Sequence, residues 1–138
     1  MPSPAATPPA TSTVVITSYG LSHHDAPTVL PAVVVDTLPL DDPRVRQQLV
    51  RRTGRDNAVR AYVMATPGAE RLVGQAVDRI RQRLSTSGRI EVHTYCRGGR
   101  HHSVAVAEEI GDRLRTAGVP VQVTHRHIAR PILPTSQS

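Results

Sequence analysis

The chain alternates short, continuous apolar runs with longer stretches in which apolar residues recur every three or four positions. Val14-Val15-Ile16 and Val33-Val34-Val35 are apolar triplets, each predicting a short buried strand. The first ends at Thr17-Ser18-Tyr19-Gly20 and the second is closed by Asp36. Ile90 to Tyr95 predicts a third strand and Val121 to Thr124 a fourth. Between the second and third, Ala69, Leu72, Val73, Ala76, Val77, Ile80 and Leu84 fall on one helical face, while Arg71, Gln75, Asp78, Arg79, Arg81 and Gln82 face away. That spacing predicts a helix opening at Thr66-Pro67 and stopped by Ser87-Gly88. Val104, Ala107, Ile110, Leu114 and Ala117 line the inner face of a last helix, ended by Gly118.

Two shorter helices are predicted from their punctuation. Asp42-Pro43 supplies an N-cap and a first-position proline, Val45 and Leu49 share a face, Arg51 and Arg52 fill the last turn, and Gly54 follows. Asp56 can cap another helix in which Val59, Tyr62 and Val63 share a face.

Strand, helix, strand from Ile90 to Thr124 has the length of one βαβ unit, whose crossover makes the two strands parallel. The fold class expected is α/β: a small, mainly parallel sheet with flanking helices, in one layered domain. Residues 13–130 form it, with a Pro/Ala-rich disordered tail at 1–12 and a flexible tail at 131–138. Ligands of such sheets sit beyond the carboxyl ends of the strands. Here those ends lead into Ser18-Tyr19-Gly20, Asp36-Thr37, the segment from Cys96 and His125-Arg126-His127, which four parallel strands would bring to one crevice.

Cys96-Arg97-Gly98-Gly99-Arg100-His101-His102-Ser103 is the segment that most narrows the chemistry. A strand that feeds a glycine pair, cations and a hydroxyl at a helix start aims backbone amides and a positive dipole end at an anion. Gly98 and Gly99 permit positive φ and close backbone approach, and the amides from Gly99 to Ser103 with the Ser103 hydroxyl would donate to an oxyanion. Arg97 and Arg100 are candidates for charge-assisted contacts, with His101 and His102 beside them. Asp36 could accept from sugar hydroxyls or an ammonium group. The plainer reading is a tight strand-to-helix turn in which Ser103 is an N-cap, Asp36 caps a neighbouring turn and both arginines are solvated.

Composition restricts the alternatives. All 17 basic residues are arginine, so Schiff-base chemistry and a triphosphatase-loop lysine are excluded, and a phosphate would be held by guanidinium forks, amides, hydroxyls or imidazoles. A net charge of +6 invites a nucleic-acid partner, but three tyrosines, no Phe and no Trp give single strands little to stack on. The charge fits a solvated surface, including the Arg79, Arg81 and Arg83 helix face, plus an anionic small ligand; RNA or a partner protein is the minority reading. No apolar run is long enough to span a membrane. A single Cys96 cannot form an internal disulfide and the amino terminus lacks a secretory pattern, so a cytoplasmic location is expected.

Two further chemistries are weighed. Cysteine phosphatases need an Arg six positions after a strand-end Cys, and His102 stands there. A zinc site could be assembled from His93, His101, His102, His125, His127 and Cys96, but none shows the tight paired spacing of a zinc signature. Neither catalysis nor a cofactor is expected.

The chain resembles the carboxyl-terminal domain of the RapZ family of bacterial adaptor proteins. Cys96, Gly98-Gly99, His101 and Ser103-Val104 followed by Ala107-Glu108 match the family's strand, C-x-G-G-x-H-R-S-V and helix. Val15 to Gly20, Asp36 with Leu40 and Pro43, Thr53-Gly54-Arg55-Asp56 with Val59, and His125-Arg126 match further family segments in the same order. The resemblance spans roughly Val14 to Arg130 and implies a regulatory domain that binds an amino-sugar phosphate such as glucosamine 6-phosphate, with the glycine loop at the phosphate. Ser18, Asp36, Cys96, His125 and Arg126 would lie beside the sugar or behind the loop. A nucleotide such as ATP, an RNA, a partner ribonuclease and a homodimer are the other partners it suggests. His102 replaces a family arginine, Arg97 a hydroxyl residue and Leu38 the arginine after Asp36, and the basic tail is reduced to Arg130.

Overall fold

The computed structural model describes residues 12–40 and 51–130. Four strands, β1 (Thr13–Gly20), β2 (Val33–Asp36), β3 (Arg89–Cys96) and β4 (Val121–His125), form one sheet in the order β2-β3-β1-β4, with every pairing parallel. Three α-helices accompany it among the described residues: α1 (Asn57–Met64), α2 (Ala69–Leu84) and α3 (His102–Thr116). The expected α/β class is therefore observed. The tails and the Asp42 to Leu49 helix fall in segments outside the described residues.

The sheet's two faces differ because strand residues alternate. Val14, Ile16, Val33, Val35, Ile90 and Val92 are buried on one face with Val73, Ile80, Ile110 and Leu114 from the helices. Burying each such side chain contributes about 1.5–3 kcal/mol before entropy is counted. Both β2-to-β3 and β3-to-β4 move the same way along the sheet, so right-handed crossovers put α2 and α3 on that same face. The β1-to-β2 connection moves the other way and carries only the 3-10 turn Leu21–His23. The opposite face, bearing Thr17, Tyr19, Glu91, His93, Tyr95 and Thr124, is thus overlain by residues of this connection rather than by a helix.

The boundaries differ from the sequence expectation for physical reasons. β1 runs through the polar Thr17 and Ser18 because it is an interior strand, paired as far as Ser18 by β4 and as far as Gly20 by β3. α1 is capped as expected, Asp56 Oδ1 accepting from the Ala58 amide at 2.8 Å. α2 opens at Ala69 rather than Thr66-Pro67, because Gly68 at φ 91° breaks the helical run. α3 begins at His102, and its N-cap residue is His101 rather than Ser103.

Candidate functional site

The carboxyl ends of the four strands open on one edge, and the turn from β3 into α3 lies there. Its shape is set by two close backbone approaches. Gly99 adopts φ 75°, in the region that favours glycine, whereas Gly98 does not need positive φ. Gly20 at the end of β1 sits so close that a Cβ there would lie 2.4 Å from the Gly98 carbonyl carbon and 2.6 Å from the Gly99 nitrogen. From the other side, the Gly54 amide donates to the Arg100 carbonyl at 2.7 Å, tying the Thr53 to Asp56 turn to the loop.

The loop's interior is held by sulfur and hydroxyls. The Gly99 amide donates to Cys96 Sγ at 3.1 Å, and Sγ is 3.1 Å from Ser103 Oγ. Thr94 Oγ1 donates to the Ser103 carbonyl at 2.8 Å, which fixes the first turn of α3 against β3. Ser103 lies inside the helix rather than at its cap, and its buried hydroxyl sits against the thiol. His101 and His102 are only 1% and 3% exposed, so both belong to the interior of the turn.

Arg97 is exposed, and its carbonyl accepts from the Ser22 amide at 2.9 Å. Arg100 is half-buried, its Nη1 donating to the Ile128 carbonyl at 2.9 Å. Its Nε is buried without a hydrogen-bond partner. A buried guanidinium donor left unsatisfied is costly, and it sits in the same turn as the Gly98 and Gly99 backbone.

Residues following β1 and β4 support the loop's underside. His127 is fully buried and its Nδ1 accepts from the Gly20 amide at 2.8 Å. Nε2 therefore carries the proton and faces Asp25 Oδ2 at 3.4 Å. Burial pushes the His127 pKa down against the pull of Asp25. Hydrogen bonds from Arg126 and His127, together with Arg130, hold the Asp25 carboxyl below its usual value. The His23 ring stacks on His127 with centroids 4.5 Å apart, and its Nε2 lies 3.1 Å from the Gly98 carbonyl. The signal available for His23 and His127 was only their position just past strands ending on the same edge.

Ser18 and His125 are brought together as the sequence pattern expected. Ser18 Oγ is 2.7 Å from His125 Nδ1, and His125 Nε2 is 2.7 Å from Glu108 Oε2. The hydroxyl, imidazole and carboxylate stand in the order of a catalytic triad, with Ser18 completely buried, and they link β1, β4 and α3. Arg126 turns to Asp25, donating at 2.7 Å to its carbonyl and at 3.0 Å to Oδ1. Asp36 Oδ1 accepts from the Leu38 amide at 2.8 Å, the plainer of its two readings, and interacts with Tyr95, whose pKa is raised by burial and by Asp36. Among the described residues no group of three or more His, Cys, Asp or Glu is arranged to hold a metal.

A strand-fed C-x-G-G-x-H turn that opens a helix is the motif on which the resemblance rests, and the structure sets it at the carboxyl edge of a β2-β3-β1-β4 parallel sheet. The model of the RapZ C-terminal domain matches residues 12–129. The chain belongs to the RapZ C-terminal domain family. A nucleotide-binding protein of Frankia alni is 40% identical over 108 residues, 71% of this chain and 36% of that protein. Similar proteins, also named nucleotide-binding, occur in Thermobifida fusca (33% identity, 83% of this chain, 40% of that protein) and Mycobacterium avium (35%, 88% and 43%). This RapZ C-terminal domain thus spans well under half the length of the relatives it matches. No helix among the described residues is long and apolar enough to cross a membrane.

Proposed function

We propose that this RapZ C-terminal domain is a regulatory module that binds a phosphorylated small molecule, an amino-sugar phosphate such as glucosamine 6-phosphate, at the Cys96 to Ser103 turn. The observation that carries the reading is the coincidence at one turn of a glycine-shaped backbone, the first turn of α3 and a buried Arg100 Nε without a partner. Arg100 supplies the charge-assisted donor, Arg97 is the exposed second cation and Asp25 with Arg126 borders the same edge. Binding without turnover is the reading that fits the thiol: Cys96 is 3% exposed and already engaged by Gly99 and Ser103, and no arginine follows six positions later.

The names of the relatives favour a nucleotide as the second reading, although they describe proteins of which this chain matches well under half. A homodimer is carried by the resemblance alone, an RNA adaptor role by the resemblance and the net charge of +6, and a cytoplasmic setting by the lone cysteine. The test is a thermal-shift and calorimetric comparison of glucosamine 6-phosphate, free glucosamine, ATP and inorganic phosphate. A ligand at a hundredfold excess over its Kd stabilises by about 2.7 kcal/mol. The sugar phosphate should produce such a shift, Arg100→Ala should remove it, and free glucosamine should give none. A melting curve unmoved by every phosphorylated ligand would falsify the reading, and a shift with ATP alone would replace it by the nucleotide reading.

A further inference from the structure

The helix-free face of the sheet carries a cavity of about 550 Å3 at the middle of the strands. His93, Thr17 and Thr124 form one register row across β3, β1 and β4, three hydrogen-bonding side chains at the roughly 4.8 Å strand spacing. Glu91 extends the row along β3, and Pro27 with Val29 forms an apolar wall from the β1-to-β2 connection. His93 is 4% exposed, and its buried Nε2 has no hydrogen-bond partner. A buried imidazole nitrogen without a hydrogen-bond partner beside a polar cavity, when buried polar groups of folded proteins are as a rule hydrogen-bonded, points to a ligand that completes it.

The wall chemistry defines that ligand. Both guanidiniums in the lining are already paired, Arg89 Nε with Glu91 at 2.7 Å and Arg126 Nη2 with Asp25 at 3.0 Å. Burial pushes the His93 pKa down although Glu91 opposes it, which favours the neutral ring. A phosphate would have to compete with the carboxylates that already hold both guanidiniums and would face Glu91 itself. The two threonine hydroxyls and a neutral imidazole can each donate or accept, and Glu91 accepts only. A ligand hydroxyl is the group that suits all four. We infer that this face is a second binding site, separate from the Cys96 to Ser103 turn, for an uncharged polyhydroxylated molecule of the sugar or polyol class. It goes beyond the phosphorylated-ligand reading and does not depend on it.

The experiment follows the His93 ring by NMR in the full chain during separate titrations with glucose, sorbitol and inorganic phosphate, with the Gly98 and Gly99 amides as reporters of the turn. Glucose or sorbitol should move the His93 signals saturably and leave the glycine amides in place. The Thr17→Val, Thr124→Val double variant, which keeps side-chain shape, should weaken that binding by at least about tenfold, the effect of losing two ordinary hydrogen bonds. His93→Gln should weaken it too, read from the Thr124 amide. His93 signals that ignore both polyols, or that answer to phosphate, overturn the proposal. So does an unchanged affinity in the threonine variant, and so do His93 signals that move only with protein concentration, since a second copy would then cover this face. Phosphate binding at Gly98 and Gly99 is scored separately, so either site can fail alone.

Discussion

At position 20 there is no room for a methyl group. A Gly20 Cβ would meet three backbone atoms of Gly98 and Gly99 at 2.4 to 2.7 Å, and backbone cannot rotate aside as a flexible side chain can. Gly20→Ala should therefore cost about 1–3 kcal/mol, the usual range for forced overpacking, and should displace the glycine turn enough to abolish the phosphate-induced thermal shift. Gly88→Ala, where an added Cβ meets nothing within 4 Å, is the matched control and should change neither. Urea unfolding of both variants, with and without phosphate, reads the two effects. An alanine at 20 that unfolds at the wild-type midpoint would show that the turn is not seated as tightly as these distances require.

Elements were legible in the sequence wherever burial alone decides them, and illegible wherever a distant contact does. The α2 face from Ala69 to Leu84 and the triplets of β1 and β2 could be read because one side of each must be apolar. The start of α3 could not, since the hydrogen bond from Thr94 to the Ser103 carbonyl that organises its first turn comes from a strand nine positions earlier. The glycine turn itself was visible, but not its bracing by Gly20, Gly54 and His127, which lie far away in the chain. At α1 the cap is the one the sequence suggests. Asp56→Ala should destabilise by about 1 kcal/mol through loss of the Ala58 amide bond, and Asp56→Asn should recover most of it. Because α1 packs on α3, the loss should appear as an earlier midpoint of a single transition rather than as separate melting of α1. Two resolved transitions in circular dichroism would contradict that coupling.

Across the whole molecule, the buried histidines tie stability to pH. His127 and His93 both have pKa values lowered by burial, so the folded state holds their neutral forms while the unfolded chain takes up protons near pH 6.5. Stability from these two groups is fully present above about pH 6.5 and is lost as pH falls through that window, with a slope of at most about 1.4 kcal/mol per pH unit for each histidine. The sign follows from geometry at His127. A proton on Nδ1 would face the Gly20 N–H that it now accepts, two donors 2.8 Å apart, with Arg130 nearby and only Asp25 to compensate. The carboxylates act in a different window: Arg126 holds Asp25 down, and Arg60 with Arg113 holds Glu109 down despite its burial, so their contributions disappear only below about pH 4. Urea midpoints measured across both windows should therefore fall in two steps. His127→Asn places an amide oxygen where Nδ1 accepts from Gly20 but does not titrate, so it should shrink the upper step and leave the lower one intact. An upper step of unchanged size in that variant would assign the acid sensitivity to His93 or elsewhere, and the Gly20 to His127 bond would then not be what couples the glycine turn to proton concentration.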